Sequence, residues 1–133
     1  MADVTVKKID EMESIYGGSF VRARGELGVT SFGMQVLNLP PDFQDYPEHS
    51  HDGVMADDKQ EEVYVPLAGS ATLQVGDESY ELAPGTIVRV GASAVRKVVP
   101  GPDGVQLLCL GGRPGHAYEA QEWTNVGGPV PGA

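Results

Sequence analysis

Residues 61–85 read EEVYVPLAGSATLQVGDESYELAPG. The run Glu62–Leu67 is rich in β-branched and aromatic residues and reads as a strand, with Ala68-Gly69 as a turn. Ala71, Leu73 and Val75 then alternate with Thr72 and Gln74, the signature of a half-buried strand. Gly76-Asp77 is a tight-turn signal, and Tyr80–Leu82 reads as the return strand of a hairpin. Pro84-Gly85 turns the chain again. The periodicity is two throughout, so this stretch predicts sheet rather than helix.

The same chemistry extends in both directions. Upstream, Phe32, Met34 and Val36 alternate with Gly33, Gln35 and Leu37 until Pro40-Pro41, and Phe20–Arg24 alternates until Gly25–Gly28. Downstream, Thr86–Val90, Ala94–Val99 and Val105–Leu110 read as strands, with Pro102-Asp103-Gly104 as a turn. About eight short strands at close spacing predict an all-β sandwich or barrel, of which a jelly roll is one form. The one helical signal is near the start, where Asp10 can cap a short turn through Glu11–Tyr16 that Gly17-Gly18 would stop. Residues 113–133 are rich in Gly and Pro and read as an extended tail, with Tyr118 and Trp123 as its anchors. No repeat or second composition regime divides the chain, so residues 1–133 are expected to form one domain with its core over about 30–112.

With 133 residues and 41% hydrophobic side chains, the chain is long enough and apolar enough to bury a core. Gly 18 and Pro 10 suit a fold with many turns. The net charge of −10 argues against nucleic acid as a partner, because such binders need basic patches to displace counterions. It argues equally against an anionic membrane surface. The single cysteine, Cys109, excludes an intramolecular disulfide, and its run Leu107-Leu108-Cys109-Leu110 predicts a buried, inert thiol. Neither a signal peptide nor a spanning apolar run is evident, so the expected location is the cytoplasm.

The chemistry concentrates in three histidines, His49, His51 and His116. On a strand, His49 and His51 would present both imidazoles on one face, and neutral imidazole is a common transition-metal ligand. A carboxylate from a neighbouring strand would complete a three-ligand site with open positions, and Glu62 is placed to supply it. Adjacent acids on a strand face opposite ways, so at most one of Glu61 and Glu62 points inward. Tyr64 shares the face of Glu62 and is a candidate for lining the pocket, with plain core packing as the alternative.

The pattern resembles the cupin superfamily. Cupins carry a first motif of the form G-x5-H-x-H-x3-4-E-x6-G and a second of the form G-x5-P-x-G-x2-H-x3-N. His49, His51, Glu62 and Gly69 match the first, Gly85 can open the second, and residues 70–84 form a short spacer like that of microbial cupins. The resemblance covers roughly residues 30–112. It implies a double-stranded β-helix barrel, a divalent transition metal (Fe, Mn, Ni, Zn or Cu) on His49, His51 and Glu62, and a homodimer.

Departures stand beside the matches. Phe43 replaces the first Gly, and residues 52–61 form an insert between His51 and Glu62 that would lie at the barrel mouth, placed to act as a lid. Gly91, Ser93 and Pro100 replace Pro, Gly and Asn of the second motif, and Arg96 replaces its His, the fourth ligand. Arg stays charged in proteins and does not ligate a cation. Three readings follow: a metal on His49, His51 and Glu62 alone; a substitute ligand from Gln60, Asp57, Asp58 or His116; or a site without metal in which Arg96 binds an anionic ligand. Arg96 could equally pair with Glu62. The functional expectation is a small cupin that binds a divalent metal and a small polar or anionic molecule, as an oxygenase- or isomerase-type enzyme or as a non-catalytic sensor or accessory protein.

Overall fold

In the computed structural model, residues 2–43, 49 and 59–132 are described. Two long strands organise them: β4 (Glu61–Val75) and β7 (Arg96–Gly112). They run antiparallel from Glu61↔Gly112 to Val75↔Arg96. The shorter elements are β1 (Ser14–Ile15), β2 (Phe20–Val21), α1 (Ala23–Leu27), β3 (Gly33–Leu39), β5 (Glu78–Leu82) and β6 (Val88–Val90).

The two halves of the β4–β7 pair carry different neighbours within one seven-stranded sheet. The first half of β4 also carries β6, with Glu62 opposite Val90, and the second half carries β5, with Leu73 opposite Tyr80. The C-terminal half of β7 continues into β3, then β2 and β1, all antiparallel. The inner faces of the two halves share one core that includes Leu37, Leu39, Tyr64, Leu73, Leu82, Val98, Leu107 and Cys109. This is the expected all-β jelly roll. A smaller cluster of Val21, Ala23 and Val36 covers the outer face of β3, which is why Val36 and Leu37 are both buried although they point to opposite sides.

The sequence's turn signals at Ala68-Gly69 and Pro102–Gly104 prove to be bends inside continuous strands. Register shifts fall between Pro66 and Ala68 and between Gly69 and Ala71, where β4 leaves the stretch paired with β6 for the stretch paired with β5. Gly69 has φ +70°, and a Cβ there would stand 2.1 Å from the Gly104 carbonyl oxygen. The corner therefore depends on backbone approach that only glycine permits. A turn and a bulge use the same residues, so composition alone did not separate them.

The short helical turn expected near the start is present, with different bounds. Residues 9–18 form two 3-10 turns flanking β1, and the α-helix lies at Ala23–Leu27, inside and beyond the run read as an alternating strand. Both arginines of that run, Arg22 and Arg24, are buried. Gly28 then ends the helix in the left-handed conformation. Among the described residues no helix is long and apolar enough to cross a membrane.

Candidate ligand pocket and its buried ion pair

A cavity of about 610 Å³ is lined by residues of β2, β3, β4, β7 and the C-terminal segment. Its apolar walls come from Phe20 on β2, Met34, Leu37 and Leu39 on β3, Phe43, and Trp123. The polar lining includes His49 and Glu62, which stand side by side, together with Gln60, Ser19, Arg24 and Gln35. Burial alternates along β4, so Glu62 and Tyr64 point inward while Val63 and Val65 are only half-buried. Of the adjacent acids, Glu62 faces the cavity and the more exposed Glu61 pairs with Arg89 on β6.

Glu62 is the meeting point of the site. One carboxylate oxygen, Oε1, accepts a hydrogen bond from the Tyr64 hydroxyl at 3.0 Å. The same oxygen lies 3.6 Å from Arg96 Nη2 and 3.8 Å from His49 Nε2. Arg96 is 0% exposed, and its Nη2 also donates to the Gly91 carbonyl at 3.1 Å. Arg96 and His49 are joined through their backbones as well: His49 N–H donates to Arg96 C=O at 2.9 Å, and Arg96 N–H to His49 C=O at 2.8 Å. This isolated bridge sets the imidazole beside the first residue of β7.

Of the residues singled out from sequence, His49, Glu62, Tyr64 and Arg96 are brought together. His51 lies outside the described residues, as do Asp57, Asp58 and most of the insert expected to act as a lid. Tyr64 and Arg96 are not among the cavity's lining residues; they stand behind Glu62. Gln60 lines the cavity, close against Gly111, whereas His116 is exposed and away from it.

Sequence reading missed several contributors. Cys109, expected to be buried, is so, and it also contributes to the wall; burial, then the nearby Glu62 charge, pushes its thiol pKa up. The C-terminal segment supplies Tyr118, Gln121, Trp123 and Thr124 to the wall. It is held there by Trp123 against Phe20, with ring centroids 4.7 Å apart, and by two buried arginines. Arg22 donates to the Gly128 and Pro129 carbonyls, and Arg24 to Asn125. Aromatic residues in a Gly/Pro-rich tail were the available signal.

No family model matches this sequence, and no curated protein matches it. Solved structures do. A cupin protein from Bacteroides fragilis superposes with a TM-score of 0.67 at 20% identity, covering 91% of this chain and 93% of that one. A structure described as a sugar phosphate isomerase from a cupin superfamily, from Silicibacter pomeroyi, superposes with a TM-score of 0.63 at 19% identity, covering 82% and 76%. The chain has the cupin fold.

Cupins commonly hold metals, so the donor set was tested for one. Among the described residues no group of three His, Cys, Asp or Glu is placed to hold a metal ion. The observation that weighs most is Arg96. A cation on the Glu62 carboxylate would share that group with a guanidinium 3.6 Å from it that cannot lose its charge. For a divalent ion and a guanidinium about 5 Å apart, at an effective dielectric constant of about 20, the repulsion is about 7 kcal/mol. The described residues of this cupin-fold chain do not by themselves make a site for a resident divalent metal.

Proposed function

We propose that this chain is a ligand-binding cupin whose cavity takes a small molecule with an apolar, ring-sized body and one polar head. The observation that carries this reading is a cavity with apolar walls of Phe20, Met34, Leu37, Leu39, Phe43 and Trp123 into which one close polar pair, His49 and Glu62, is set. Burying an apolar body against such walls supplies the affinity, and a donor on the head that reaches the carboxylate supplies orientation. Arg96 and Tyr64 act from behind by holding Glu62 in place.

A phosphosugar of the kind suggested by the isomerase neighbours suits this cavity poorly. Phosphate recognition calls for free Arg or Lys donors. The one Arg or Lys among the described lining residues is Arg24, whose Nη1 and Nη2 are engaged by the Val29 carbonyl and Asn125.

A metal-dependent reading is the second candidate. The 3.8 Å between His49 Nε2 and Glu62 Oε1 suits two ligands of one ion, with His51 as the third. It requires that ion to sit beside Arg96.

The test is an amide-NMR titration of the native protein with p-cresol and, separately, toluene. The expected result is saturable shifts at Gln35, Gly111 and the Trp123 indole, with p-cresol binding roughly tenfold tighter because its hydroxyl can donate to a carboxylate. Glu62→Gln should reduce that preference. Absence of shifts at cavity residues at millimolar probe would overturn the reading.

A further inference from the structure

We propose that Arg96 is a built-in cation standing in the place of the metal, and that this one residue keeps the site metal-free. The inference deepens, and rests on, the reading of the cavity as a ligand pocket without metal.

Three observations meet at Arg96. Its side chain is completely buried and lies within 3.6 Å of Glu62, so it supplies the counter-charge that an inward-facing carboxylate otherwise takes from a bound cation. Its backbone is paired with His49 in both directions, so the guanidinium is rooted at the imidazole's own position on the barrel. Among the described residues, Nε and Nη1 have no hydrogen-bond partner.

That last feature is informative because it is costly. A buried guanidinium with two donors unmet among the described residues is a poor structural element, and an apolar side chain of similar size would be cheaper in that position. A residue kept only for packing would not need the charge. Charge opposite Glu62 is what Arg96 provides that an apolar side chain does not. It is also what excludes a second cation, by the repulsion estimated above.

If Arg96 alone blocks the site, returning a metal-ligating side chain to this position should open it. Native protein, Arg96→His, Arg96→Lys and the double variant Arg96→His/His49→Ala are each incubated with excess Zn²⁺ or Ni²⁺, desalted, and analysed for bound metal. Circular dichroism establishes which variants are folded. Native protein and Arg96→Lys should retain fewer than about 0.1 ion per chain, Arg96→His close to one, and the double variant again few. Native protein retaining close to one ion per chain would overturn the proposal, and that result needs no variant to fold. A folded Arg96→His that takes up no metal would overturn it too. The p-cresol titration is independent of these outcomes. Metal in the native chain with cresol still bound removes the role of Arg96 alone, whereas loss of cresol binding removes the ligand-pocket reading.

Discussion

Glu62 and Arg96 are both buried, and a buried pair behaves differently from a surface one. Taking two charges out of water costs several kcal/mol per ion, so the pair itself adds little net stability, but removing one partner strands the other. Arg96→Gln should therefore destabilise the protein by about 3–5 kcal/mol in urea unfolding, and adding Glu62→Gln should recover part of that loss. Additive losses in this cycle would show that the two residues do not interact. Cys109 makes a second prediction at this scale. Burial, with Glu62 nearby, raises its pKa in the folded state, so the folded protein keeps the thiol while the unfolded chain ionises. The stability this contributes is complete below the unfolded thiol's pKa of about 8.5 and is lost as pH rises from there toward the folded value. The urea midpoint should fall between pH 8 and pH 10 more steeply in native protein than in Cys109→Ala. Equal slopes would remove Cys109 as the cause.

The β4–β7 corner and the C-terminal segment carry the element-scale predictions. Gly69 and Gly76 both have positive φ, but only Gly69 has a neighbour in the way. Gly76→Ala should cost about 1 kcal/mol, the strain of the left-handed conformation alone. Gly69→Ala adds a clash with the Gly104 carbonyl and should cost about 3 kcal/mol or more. Similar thermal midpoints for the two variants would contradict this account of the corner. For the tail, Trp123 is half-buried against Phe20 and walls the cavity. Trp123→Ala should lose about 2 kcal/mol and weaken p-cresol binding several-fold, while leaving far-ultraviolet dichroism unchanged. Unaltered cresol affinity would place the ligand elsewhere. These elements also show where sequence was ambiguous. Alternation in residues 71–75 located the second half of β4, because there one face is wet and the other dry; the Gly76-Asp77 turn located β5. Alternation at Phe20–Arg24 misled, because both arginines are buried on hydrogen bonds to a segment about a hundred residues away.

For the whole molecule, the homodimer remains a proposal by resemblance. Exposed Leu67, Tyr80, Ile87 and Val95 are apolar surface that a second copy could cover. Light scattering should return twice the 14.1 kDa chain mass, and a monomeric mass would reject the dimer. The sequence by itself determined the all-β class, the barrel, and the grouping of His49, Glu62, Tyr64 and Arg96, because strand periodicity and motif spacing are local properties. Motif spacing had also singled out Glu62 over Glu61 as the inward acid; the tertiary structure decided that Arg96 pairs with Glu62 instead of lining the cavity, and that the tail completes the wall. Those are long-range outcomes. They depend on the burial of a strand face and on contacts between residues far apart in the chain, and local pattern records neither.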